Sequence, residues 1–365
     1  MLDTFKNLLE LQRYFTTEKI CVEYLEQQRW GNTPACPHCG TIDPYKTVTR
    51  SKRPELARTF DYRCRSKECF KKFNALSKTI FENTKIDLKT WYAAIYIGTA
   101  HKKGISSLQL SRDLGITQKS AWFVNHRVRE MLKAELPTTL KGTVQVDESY
   151  FGGKTKNKHQ SKRQEIIKSG KSLKEKIPVV GLLEKDGKVI AFVTENTGAK
   201  TLKGLMYKHV EENSTVVTDG YKPYKGIKKH YNHVVVKGDT GRFVIDNKFH
   251  TQNIENFWSI FKRGYIGIYH YMSKKHLQRY CEEFSYRYNT RGITDAERFA
   301  EAIKRADGRL TYNRLIGKDK IVYKESDMMR PGDNRPAMPD RDTNDGLFYA
   351  MLKNINKHGR HNPKA

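Results

Sequence analysis

Two pairs of cysteines, Cys36-Pro-His-Cys39 and Cys64-Arg-Ser-Lys-Glu-Cys69, stand 24 residues apart and constrain the fold around them more than any other feature. Two thiolates on one tight turn can meet two from another and enclose a zinc ion tetrahedrally. Gly40, directly after the first pair, is the residue such a turn favours. All four positions are sulfur, so no coordination site is left for water. The spacing therefore predicts one structural Zn2+ on Cys36, Cys39, Cys64 and Cys69, against the alternative of four unrelated buried thiols. His38 lies inside the first knuckle and is expected to point outward. Cys21 and Cys281 fall in helical patterns and read as small core residues.

The chain has 365 residues, enough for two or three domains. Its 68 Lys and Arg exceed its 40 Asp and Glu by 28, a surplus that calls for a polyanionic partner. That excludes acidic, self-solvating disorder but does not separate nucleic acid from an anionic membrane surface. No apolar run reaches the length of a membrane span. The N-terminus carries acids early and lacks the apolar stretch of a signal peptide. The cytosol is the expected compartment, where thiols stay reduced and serve metals rather than disulfides.

Apolar spacing predicts two short helices over residues 4–28, broken near Thr16-Thr17, and further helices over 87–133 and 250–316. Between the last two lie β-type runs: TVQVDESY, IPVVGLLEKDG, KVIAFVTE, STVVTDG and HVVVK. Lys154–Lys176 holds nine Lys/Arg against two Glu, compatible with a solvated loop and with a basic arm on a phosphate backbone. After about Ile316 the chain turns polar and is expected to be largely disordered, with room for one helix at 345–354.

Asp87 is placed to cap a helix. Ile105–Leu114, Gly115-Ile116 and Thr117–Arg129 then read as helix, turn, cap and second helix, the order of a helix-turn-helix. In this reading Gln118, Lys119, Ser120 and Arg127 face DNA, whereas Ala121, Val124 and Val128 face inward. An ordinary helical hairpin would show the same periodicity.

Three acids stand at places where a sheet could gather them. Asp147 closes the run Val144-Gln-Val, Asp219 closes Thr215-Val-Val-Thr, and Glu255 lies in the helical stretch Asn253–Arg263. Such a cluster cannot stay ionised without cations; two Mg2+ would neutralise it and could clamp a phosphodiester. Lys262 lies two turns from Glu255 on the same helix face, able to hold a neighbouring phosphate. Trp258 shares that face, as a core indole or a base-stacking platform. Glu148 points away from Asp147 by strand alternation. Asp239 and Asp246 are alternatives to Glu255.

The motifs taken together resemble a known family. Arg29-Trp30 before Cys36-Pro-His-Cys-Gly40, Val146-Asp-Glu-Ser-Tyr-Phe-Gly-Gly-Lys154 and Thr218-Asp-Gly220 carry the likeness. So do His250-Thr251 before Glu255-Asn-Phe-Trp-Ser259, Lys262-Arg-Gly264, Tyr269-His270, and Lys275–Tyr280 through Arg287–Arg291. From about residue 5 to 316 the chain is similar to bacterial insertion-sequence transposases of the DDE class, in particular the "fifteen-ninety-five" family. The resemblance implies an α+β multidomain protein: N-terminal helices to residue 30, zinc ribbon over 31–80, helix-turn-helix over 81–138, and an RNase H-like domain over 139–316 with a mixed sheet flanked by helices. It implies Asp147, Asp219 and Glu255 as catalytic acids holding two Mg2+ (or Mn2+), Lys262 as the catalytic lysine, and Arg263 on DNA. Gln252 stands where the family often has Asn, and the 154–176 insert and the tail fall outside the match. The implied activity is cleavage and strand transfer at terminal inverted repeats of double-stranded DNA, by a homodimer or higher assembly, with no membrane, in a bacterial cytoplasm beside the nucleoid. A nuclease of the same fold without strand transfer, and a non-catalytic DNA-binding regulator, are the competing readings.

Overall fold

A computed structural model of the chain describes residues 5–47, 61–133, 139–153, 157, 159–169, 176–236, 244–245 and 248–317. Asp239, Asp246 and the tail with its expected helix at 345–354 lie outside the described residues, as does much of the 154–176 insert.

The chain opens with helices α1 (Leu8–Tyr14) and α2 (Glu18–Trp30). Thr17 begins α2 because its hydroxyl accepts the Ile20 N–H, which is why the pattern breaks at Thr16-Thr17. Strands β1 (Tyr45–Thr47), β2 (Asp61–Arg63) and β3 (Lys72–Phe73) follow as a small antiparallel sheet. Then come α3 (Leu88–Ala100), α4 (Ser107–Leu114) and α5 (Gln118–Met131). Asp87 caps α3 through the Thr90 N–H, and Gly115, at φ +63°, closes α4 in the left-handed conformation.

The second half is built on β4 (Thr143–Phe151), β5 (Ile177–Glu184), β6 (Val189–Val193), β7 (Thr215–Thr218) and β8 (Asn232–Val235), the five runs expected from the sequence. Helix α6 (Gln160–Ser169) lies between β4 and β5, and α7 (Ala199–His209) between β6 and β7. The sheet order is β6-β5-β4-β7-β8, with β4, β5 and β6 antiparallel and β7 and β8 parallel to β4. This is the mixed sheet expected of an RNase H-like domain. Strand alternation divides its residues between two cores. Val144, Val146, Val180 and Leu182 meet Leu202 and Met206 of α7 on one face. On the other, Val179, Leu183 and Phe151 meet Phe257, Trp258 and Phe261 of α8 (Gln252–Gly264) and Phe284 of α9 (Leu277–Asn289). Cys21 and Cys281 are both fully buried core residues, as expected.

Two expectations need correction. Asp147 does not end its strand: β5 pairs with β4 along its full length, Val144 to Phe151, so β4 continues four residues past the acid. It is β7 that stops early, its last partner on β4 being Gln145. The chain also does not stay with the sheet until residue 316. Helix α10 (Asp295–Lys304) returns to the N-terminal helices, where Phe299 and Ile303 bury against Phe15, Tyr92 and Ile95. The backbone closes this return, since the Ile80 N–H donates to the Ala306 carbonyl at 2.9 Å and Gly308 N–H to Lys78 at 2.8 Å. Helix α11 (Tyr312–Ile316) follows. Periodicity reports that a helix is amphipathic but not which core its apolar face joins.

Candidate active site

In the ribbon, the Cys36 and Cys69 sulfurs are 3.9 Å apart and those of Cys39 and Cys64 are 3.4 Å apart. Tetrahedral zinc, with Zn–S near 2.3 Å, requires sulfurs roughly 3.8 Å apart. The four sulfurs lie within 4.8 Å of one another, and no other such group of His, Cys, Asp or Glu exists among the described residues. These thiols therefore fit a structural zinc ion. Trp30, Tyr62 and Phe73 form the ribbon's small core beneath them.

In the helix-turn-helix pair, Thr117 caps α5 by accepting the Ser120 N–H. Gln118 and Lys119 are exposed; Gln118 donates to the Ser107 hydroxyl at 3.0 Å, and the Lys119 ammonium sits over the Tyr312 ring. Ser120 is half-buried, and Ala121, Val124 and Val128 face inward. Arg127 does not face DNA. It is 7% exposed and donates to the carbonyls of Leu310, Ile80 and Glu82. Its position three residues after Val124 puts it on the inward stripe of α5, where it ties the returning chain to the segment before α3. Only the first turn of α5 is open.

The acids converge where β7 leaves β4. Gln145 pairs with Val217 in parallel register, so Asp147 and Asp219 each lie two residues beyond the last paired position and project to the same face. That face carries α8. Asp147, Glu148, Glu255, Lys262 and Arg263 line one open cleft together with Lys103, Trp258, Ser259, Ile266 and Gly267. Asp219 does not line this cleft; it is exposed, its carboxylate accepting the Tyr221 N–H at 3.0 Å, and its charge acts on Asp147. Burial, with the nearby Asp219 and Glu255 charges added, pushes the Asp147 carboxyl up to about 6. Glu148 does face away from Asp147, yet it reaches the same cleft. Burial pushes it up to about 7, although Tyr224 donates to it at 2.6 Å. The acids are not packed within 4.8 Å, as the cysteine sulfurs are. Ligands on opposite sides of two ions about 4 Å apart need not be. A partly buried acid group whose members repel one another, open to solvent and flanked by exposed Lys262 and Arg263, fits divalent cations and a phosphate chain.

Of the two readings open to Trp258 the structure bears out the core indole: it is 3% exposed, its ring lying over Gly181, the β5 residue opposite Asp147, a contact the sequence did not show. A Cβ at Gly181 would stand 2.6 Å from the indole, so this position admits no larger residue without moving α8. Gln145, 1% exposed, accepts the Ile254 N–H at 3.0 Å. The first N–H groups of a helix have no partner within it. Thr251, which precedes α8, makes no side-chain cap and donates to Glu255 instead, at 2.7 Å. Gln145 therefore pins the start of α8 to the strand that carries Asp147. A polar residue in an apolar strand was the available signal.

Residues 139–289 match the model of an ISXO2-like transposase domain, and residues 16–72 that of a transposase zinc-ribbon domain. Both models describe one family and together span more than half of the chain. The chain is also 26% identical over 282 residues to a protein in the transposable element ISH50 of Halobacterium salinarum, covering 75% of this chain and 91% of that one. The zinc-ribbon match precedes the transposase-domain match along one chain, and the chain belongs to the IS1595 family of insertion-sequence transposases.

Proposed function

We propose that this transposase binds the terminal inverted repeats of its element and catalyses metal-dependent cleavage and strand transfer of double-stranded DNA. The observation that carries the reading is the cleft that Asp147 and Glu255 line together beside Lys262 and Arg263, with the charge of Asp219, which follows β7, also acting on Asp147. Asp147, Asp219 and Glu255 would hold two Mg2+ or Mn2+, which when bound activate a nucleophilic oxygen and stabilise the leaving one. Gln145 holds Glu255 in register with Asp147. Lys262 and Arg263 bind phosphates next to the one that reacts and orient the strand. The first attack, by water, leaves a 3′-OH on the element; the second, by that 3′-OH, joins it to target DNA without a covalent enzyme intermediate.

The ribbon and the open first turn of α5, with Gln118, Lys119 and Ser120, would read the ends, while the basic surface supplies salt-dependent backbone affinity. Two ends must be held together for transfer, so a homodimer or larger assembly is the expected active form. Its DNA would be that of a bacterial cytoplasm, beside the nucleoid; among the described residues no helix is long and apolar enough to cross a membrane. The test is incubation of the protein with a labelled element end and Mg2+. A free 3′-OH at one defined position is expected, and Asp147→Asn should abolish it while leaving end binding in place. A variant that cleaves normally would overturn the assignment. Pre-nicked ends that never join to target would leave a nuclease in its place.

A further inference from the structure

We propose that Lys103, on the loop between α3 and α4, is a DNA-phosphate-binding residue of the acid cleft, so that the helix-turn-helix unit completes the site formed on the sheet. The inference rests on the reading of that cleft as the DNA-cleaving centre. Lys103 is exposed and lines the cleft together with residues of α8, and among the described residues no ion pair to its ammonium is found. It is the one lining residue that comes from the helical half of the chain.

Its backbone is held in place from two sides. The α8 helix runs into a π-helical turn, Tyr265–Tyr269, a distortion common at functional sites. At the junction, a Cβ on Gly264 would stand 2.9 Å from the Lys103 carbonyl, so only glycine lets the loop approach this closely. Gly104, at φ +88°, closes the loop, its N–H donating to the His101 carbonyl at 3.0 Å, and a Cβ there would collide with the Tyr269 hydroxyl. That hydroxyl donates to Glu283 at 2.7 Å, and Glu283 is paired with Arg129 and Arg287. Arg287 donates in turn to the Gly98 carbonyl of α3. A surface lysine with no fixed base costs entropy to hold on a phosphate. Here the backbone is already ordered, and only the side chain must settle. Lys103, Lys262 and Arg263 then present three cations on the cleft that Asp147 and Glu255 line, available to the phosphates of one strand.

The test uses the full chain, an element-end duplex and Mg2+. Lys103→Ala should slow release of the 3′-OH from the bound complex by about tenfold or more, the loss expected for one charge-assisted contact. End binding in a gel shift should change by less than about threefold, since most phosphate contacts lie elsewhere, and Lys103→Arg should restore cleavage. Replacing single phosphates near the cleaved bond with neutral methylphosphonate supplies the second readout. At one position the neutral linkage should slow the wild type but not Lys103→Ala. Wild-type cleavage by Lys103→Ala, or equal slowing of both proteins at every position, would overturn the proposal alone. A wild type that releases no 3′-OH with Mg2+ or Mn2+ would remove the cleavage reading and the proposal with it.

Discussion

Replacing Gln145 with Met is the sharpest probe of how the cleft is assembled. Methionine matches glutamine in length and fills the same volume, so the cavity cost is small. What disappears is the acceptor for the Ile254 N–H, which lies among fully buried residues at the start of α8. A buried N–H left without a partner costs about 1–3 kcal/mol. In a domain of this size that corresponds to a fall of roughly 2–10 °C in the unfolding midpoint. The effect on chemistry should be larger than the effect on folding. Ile254 adjoins Glu255, so a first turn released from β4 moves one acid relative to the other two, and an error near 1 Å can cost about 100-fold in rate.

Thermal unfolding followed by circular dichroism, with and without Mg2+, measures the first quantity; 3′-OH release from an end duplex measures the second. Thr251→Val is the contrast, because it deletes a bond in a more accessible place and should cost less than about 1 kcal/mol. If Gln145→Met unfolds and cleaves like the wild type, the strand-to-helix bond does not position the acids and the argument fails.

Three further outcomes follow from the same packing. Cys36→Ser should lose the zinc equivalent and unfold the ribbon while the five-stranded sheet still melts cooperatively; metal analysis showing one bound zinc would refute this. Gly181→Ala should destabilise the protein by about 1–3 kcal/mol and weaken cleavage by pushing Trp258 and α8 off the sheet, read by the same melt and assay. The acids' own contribution to the stability of the metal-free protein should fall as pH rises through about 4 to 7, because Asp147 and Glu148 are raised to about 6 and about 7 and bind more protons folded than unfolded there. The buried His126 and half-buried His276, whose pKa values burial lowers, act with the opposite sign, so the trend is read as the difference between the wild type and Asp147→Asn. Mg2+ should therefore raise the midpoint more at pH 8 than at pH 5, and an equal shift at both would mean that Asp147 does not hold the ion.

What the sequence disclosed was local. Zinc spacing needs only the turn, Thr117 and Gly115 act on their own helices, and alternating valines declare a strand. The candidate acids stood out because each follows an alternating apolar run or lies on an amphipathic helix, although Asp147 proved to lie within β4 rather than at its end. What stayed hidden depends on partners far along the chain. Gln145 and Ile254 are 109 positions apart, and nothing in the VQVD run names the acceptor's donor. Charge suggested that Arg127 is exposed, but helical phase put it inside, where backbone carbonyls from Ile80 and Leu310 satisfy it. Lys103 was one of 68 cations, distinguished only by which surface its loop reaches.

The same long-range logic joins the two halves. Glu283 is fully enclosed, and although burial alone would raise its pKa, Arg129 of α5 and Arg287 of α9 hold it down to about 2. Exchanging such a cluster for apolar residues often costs nothing, so its presence is weak evidence for stability. Removing one member is another matter, because the charges left behind are stranded in the interior at a cost of about 3–5 kcal/mol. The network therefore penalises any other packing of α5 on α9 more than it strengthens this one. On the proposed function, with α5 reading DNA and the acids cutting it, that asymmetry has a use: the distance from the open first turn of α5 to the acids becomes a fixed property of the fold, and with it the distance from the recognised sequence to the bond that would be cut.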